Sequence, residues 1–117
     1  MANEIQISAT LRYSNSPVSM SLATSYFADQ SGNYAQAGVQ NVGTAEEQLD
    51  KGDVTTIGYV AVQNLDETNY VQFGVTTGSY SVKLLPGKGC VMPWNGNYVY
   101  IKANTAACNV NYLITEL

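Results

Sequence analysis

The residues of this chain that could do chemistry are few, and most are acids. Glu46, Glu47, Asp50 and Asp53 place four of the nine acidic residues in one short window. The window has three readings: a solvated loop, a dock for a basic patch on a partner, or a weak calcium site. Its spacing departs from the calcium-loop pattern of acids around a fixed glycine. Asp66 and Glu67 form an adjacent carboxylate pair, the residue type that serves in glycoside hydrolysis. Neighbours on a strand, however, point to opposite faces, and neighbours on a turn are solvated. The chain contains no histidine, so a Ser or Cys nucleophile lacks its usual base. The expectation is a protein that is not an enzyme, with no catalytic residue, no cofactor and no metal.

Two cysteines, Cys90 and Cys108, are present. Without histidine or a Cys-x-x-Cys spacing, a zinc site would need carboxylates to complete it. The simpler expectation is two buried or half-buried thiols in adjacent strands. A disulfide would require those strands to set them in register, and cytoplasmic synthesis argues against one.

The aromatic residues are the other candidates. Trp94 stands beside Asn95-Gly96 and reads either as an indole half-buried under a hairpin or as an anchor at a partner surface. Tyr98 and Tyr100 join it as partner-binding candidates. Tyr59, Tyr70, Tyr98 and Tyr100 fall opposite aliphatic rows, where they make either cross-strand pairs that stabilise a sheet or a platform for sugars.

Charge narrows the partners. Arg12, Lys51, Lys83, Lys88 and Lys102 are the only basic residues and are scattered singly in a chain of net charge −4. Nucleic-acid binding needs a clustered basic patch, so DNA and RNA are not expected partners. No apolar run approaches the length of a membrane span, and Met1-Ala2-Asn3-Glu4 lacks the basic start and apolar core of a signal peptide. Synthesis in the cytoplasm is the expectation. Only 12% of the 117 residues are charged, about half the usual share of roughly 25%. Asn, Gln, Ser and Thr supply the polarity instead, which suits faces in contact with something. A chain of this length is expected to form one domain over residues 1–117.

The elements that must position these residues read as strands. Ile5, Ile7, Ala9, Leu11 and Tyr13 alternate with Gln6, Ser8, Thr10 and Arg12 in the cleanest strand pattern of the sequence. Asn15-Ser16-Pro17 breaks it, and Val18, Met20, Leu22, Thr24 and Tyr26 resume the alternation. Tyr34 to Val42 predicts a weaker strand at an edge or an intermolecular position. Thr44 with Glu47 matches a capping box, so Gly43 to Leu49 is either a helical turn or a short corner strand. Asp50-Lys51-Gly52-Asp53 is a turn by composition.

Ile57 to Val75 predicts two half-buried strands joined as a hairpin through Asn64 to Asn69. Tyr80 to Leu85 predicts a strand ended by a type II turn at Pro86-Gly87. A brief strand from Gly89 stops at Pro93, and Asn95-Gly96 carries the strongest hairpin signal. Tyr98 to Ala103 follows, and Cys108, Val110, Tyr112 and Ile114 line one face of a last strand. Eight to ten short strands with tight turns predict an all-β chain, a β-sandwich or jelly roll, with the jelly roll preferred over a simple barrel partly on the resemblance that follows.

The order Gly58-Tyr59-Val60, Asn64 through Val71, Leu84-Leu85-Pro86-Gly87 and Ile101 through Cys108, with Gly43-Thr44, Glu46-Glu47 and Lys51-Gly52-Asp53 before it, resembles small virion structural proteins of tailed bacteriophages. These include capsid decoration (cement) proteins and other head- or tail-associated β-sandwich proteins. The resemblance implies a non-enzymatic protein of the virion, on the capsid surface, that binds the major capsid protein or other virion proteins as a homotrimer. It leaves open a tail, baseplate or head-fibre component, and the tyrosines leave open a carbohydrate-binding module for host recognition.

Overall fold

The computed structural model describes residues 3–117. Met1 and Ala2, part of the start that reads as lacking a leader, lie outside the described residues. Contacts divide the chain into two compact units, one ending at Ser31 and the other running from Gly32 to Leu117. Among the described residues every regular element is a strand, and all pairing is antiparallel.

The first unit is a single long hairpin. β1 (Ile5–Asn15) and β2 (Val18–Ala28) pair over their full 11 residues, about 35 Å of strand at the usual rise. Ser16-Pro17 forms the two-residue connection, where proline withholds the ladder donor that would extend β1. The pairing sets Leu11 opposite Leu22, Tyr13 opposite Met20 and Ile7 opposite Tyr26. Directly opposed residues share a face, so the two apolar alternations coincide on one side. Arg12, the hairpin's charge, sits opposite Ser21 on the other.

The second unit is a jelly roll. Its strands are β3 (Ala35–Val42), β4 (Glu47–Gln48), β5 (Ile57–Asn64), β6 (Val71–Gly74), β7 (Val82–Leu84), β8 (Gly89–Gly96), β9 (Tyr100–Ala103) and β10 (Cys108–Glu116). They pair as nested partners: β6 with β7, β5 with β8, β4 with β9 and β3 with β10. That is one long antiparallel ribbon rolled on itself. Two further pairings close the roll, β10 with β5 and β9 with β6. The result is two four-stranded sheets, β3-β10-β5-β8 and β4-β9-β6-β7, the strand arrangement of a jelly roll.

The core lies between the sheets. Cys108, Val110, Tyr112 and Ile114 face inward from β10, Val60 and Val62 from β5, Val71 and Phe73 from β6, and Ile101 from β9. Phe73 and Trp94 bring the two sheets together with ring centroids 5.8 Å apart, and burying a ring such as Phe73 contributes about 2–3 kcal/mol.

Several expectations need correcting. β5 and β6 do not form a hairpin, because they belong to opposite sheets. Asn64 to Asn69 is an arch that carries the chain across the core. Periodicity identifies the inward row of each strand and is blind to whether the rows lie side by side or face to face. Asn95-Gly96 is likewise not a hairpin turn: both residues belong to β8, and β9 lies in the other sheet.

Pro93 does not stop its strand either. β8 runs through it because β8 is an edge strand, where a missing donor costs no ladder bond. The capping-box segment forms the two-residue strand β4, not a helical turn.

Other expectations hold. Pro86-Gly87 is a turn with Gly87 at φ 75° and the Lys88 N–H donating to the Leu85 carbonyl at 3.0 Å. Gly52 turns at φ 56° as its composition predicts, and β3 is an edge strand.

Candidate assembly surfaces

The four acids of the window do not converge. Glu46 accepts from the Thr77 hydroxyl, the Gly78 N–H at 2.7 Å and the Tyr80 hydroxyl. These bonds, the Thr77 one foremost, hold its carboxyl below the usual range, and the same contact raises the Tyr80 phenol. Glu47 accepts from the Gln40 amide at 2.9 Å and the Gly43 N–H at 3.1 Å. Asp50 accepts from the Gly52 N–H at 3.0 Å and closes its own turn.

Asp53 is exposed at that turn. Three of the four carboxylates are therefore engaged by their own chain. Among the described residues no three Asp, Glu, Cys or His side chains are placed to hold a metal ion.

Asp66 is also occupied. It accepts from the backbone N–H of Asn69 at 2.6 Å and of Thr68 at 2.9 Å, which hold its carboxyl low. It shapes the arch between the sheets.

Trp94 is a core residue at 8% exposure, and its indole N–H donates to the Tyr98 carbonyl at 3.0 Å. It is buried in the core between the sheets, neither half-buried under a hairpin nor an exposed anchor. Tyr98 and Tyr100 lie side by side with centroids 6.0 Å apart, and the Lys51 ammonium sits 4.0 Å over the Tyr98 ring. Tyr59 is on β5 of one sheet and Tyr100 on β9 of the other, so the four tyrosines do not share a platform. The Tyr70 ring is covered by Lys83 at 4.3 Å.

Both thiols are free, Cys108 buried and Cys90 half-buried. Burial raises both, Cys108 with a further contribution from Asp66. They are not on adjacent strands as expected, because β5 runs between β10 and β8.

The surfaces that stand out lie elsewhere. Leu11, Leu22 and Met20 on the hairpin are 74%, 73% and 61% exposed, with Tyr13 and Val18 open beside them. The alternation in the sequence identified this face but not that it would lie open. The outer side of β3-β10-β5-β8 carries one apolar row, set between Asn111 and Gln63 on one side and Thr115 on the other. Leu113 pairs with Ala37 and Ala61, and Ala61 with Val91. Those four form an apolar row across all four strands, with a shallow trough of about 410 Å³ over it.

Comparison of the chain with protein-family models, with curated proteins and with solved structures found no match.

Proposed function

We propose that this chain is a non-enzymatic structural protein of a tailed-phage virion, a decoration protein that binds the assembled head shell as a homotrimer and stiffens it. The observation that carries the reading is the open apolar face of the hairpin. Monomeric proteins rarely leave a large contiguous apolar patch to water, and such patches mark interaction sites. A lone two-stranded hairpin is at best marginal in water and needs something to pack on. The second support is the resemblance carried by the arch and turn motifs from Gly58 to Cys108. Driving forces in this reading are apolar burial and amide hydrogen bonds, with charge a minor contribution.

Heating particles with and without the protein tests the proposal. Shells lacking it should rupture at a lower temperature, and unchanged heat resistance counts against decoration. Copy number on the intact particle separates the shell from a tail or baseplate address, since a shell presents many more equivalent positions than a tail.

A further inference from the structure

The core of the jelly roll is closed along one side and open along the other. At the β3–β4 side the segment from Leu49 to Val54 folds across it, with both end residues buried. There the Tyr112 hydroxyl donates to the Asp50 carbonyl at 2.7 Å, and the Asp50 N–H donates to the Gln40 amide oxygen at 2.9 Å. At the β7–β8 side a cleft of about 320 Å³ remains between the two edge strands. We infer that this cleft is a binding site for a neutral sugar ring. The inference goes beyond the structural role proposed above and does not rest on it.

Two glycines shape the cleft. Gly74 lets the turn between Thr76 and Ser79 close over the end of β6, since a Cβ there would lie 2.2 Å from the Ser79 carbonyl oxygen. Gly96 lets β8 approach Val75, whose Cγ1 a Cβ would meet at 2.6 Å. The turn is held by the Ser79 N–H donating to the Thr76 carbonyl at 3.1 Å. Glu46 holds it again from outside by accepting from Thr77 and Gly78. The wall is built before a ligand arrives, which spares the ligand the cost of ordering it.

The lining selects the ligand. Met92 and Val82, half-buried against the core, give the base an apolar surface beside the open edge of Trp94. Thr76, Ser79, Ser81 and Asn95 add three hydroxyls and an amide, all on exposed residues. Among the described residues none of these four side chains is hydrogen-bonded within the chain, and each can donate and accept. No Asp, Glu, Lys or Arg lines the cleft, so a charged ligand would leave water without a counter-charge.

A sugar ring matches on both counts, with C–H faces for the apolar base and hydroxyls for the polar rim. The volume lies at the small end of the roughly 300–1,000 Å³ of ligand clefts, which suits one ring. A peptide strand fits less well. β7 has only three residues and β8 lacks a donor at Pro93, so an added strand would gain few ladder bonds.

The test titrates the full chain with the methyl glycosides of glucose, galactose, mannose and N-acetylglucosamine. Trp94 is the only tryptophan, so its emission reports on the cleft. At least one glycoside should change that emission saturably, with Kd about 1–10 mM. The same glycoside should shift amide resonances from Gly74 to Val82 and from Met92 to Gly96. Asn95→Ala should weaken the affinity about 10-fold. Ser81→Phe, which sets a ring across the mouth, should abolish it. Both positions are exposed, so circular dichroism should keep its β signature.

No saturable response to any of the four sugars up to about 100 mM overturns the inference. So does an affinity that both variants leave unchanged, or a set of shifts confined to Tyr98 and Tyr100. Glucuronate binding more tightly than the neutral sugars overturns it as well. Each of these outcomes leaves the structural role standing, which the heating experiment judges separately.

Discussion

The side-chain amide of Asn64 donates to the Leu84 carbonyl at 3.1 Å and thereby fastens β5 of one sheet to β7 of the other. The same amide donates to the Asn69 carbonyl at 3.0 Å, and its oxygen accepts from the Asp66 N–H at 3.0 Å. Asn64 is wholly buried, so this one side chain serves the polar backbone of the arch where water does not reach. A buried carbonyl left without a donor is costly, which explains a polar residue at the end of the inward row of β5.

Replacing Asn64 with Ala should lower the unfolding free energy by roughly 2–4 kcal/mol, the cost of unpaired buried polar groups together with a small cavity. Urea denaturation followed by Trp94 fluorescence measures it. A variant as stable as the wild type would remove the amide from its assigned role.

Glu116 makes stability depend on pH. Its carboxylate accepts from the Thr55 N–H at 3.1 Å, the Thr55 hydroxyl at 3.0 Å and the Asn33 N–H at 2.9 Å. These bonds, the Thr55 N–H foremost, hold its carboxyl below the usual carboxylate range. A carboxyl lower in the folded than in the unfolded state stabilises the fold above the unfolded value, about 4.3 for glutamate. That contribution is lost as pH falls from there through the folded value. Melting temperature should therefore drop with acid in this window, and Glu116→Gln should flatten the drop while lowering stability at neutral pH. An acid limb unchanged by the substitution would assign it elsewhere, Glu46 and Asp66 being the other lowered carboxyls.

The thiols should stay reduced and slow to react. Thiolate is the reactive form, and burial raises both cysteines. Native protein treated with iodoacetamide should label Cys90 slowly and Cys108 only on unfolding, with two free thiols counted in denaturant. A blocked pair in the native protein would contradict the separation of β10 from β8 by β5.

Local sequence carried much of the fold. The alternation in Cys108, Val110, Tyr112 and Ile114 predicted an inward row, and all four are core residues. Glycine at a position needing positive φ marked the turns at Gly52 and Gly87. The candidate site was less legible. Glu46, Glu47 and Asp50 read as an acidic patch because spacing counts charges and does not show where their oxygens go. Trp94 read two ways because a neighbouring turn signal does not say which sheet lies beneath it.

Residue order by itself determined most of the strands, the turns at Gly52 and Gly87 and the inward row of β10, since side-chain alternation and backbone φ are properties of a few consecutive residues. Tertiary structure alone decided that β5 crosses to β6 through an arch and that Asn95-Gly96 stays within a strand. Each of those depends on which distant segment supplies the hydrogen bonds or the covering surface, and no local period records that choice.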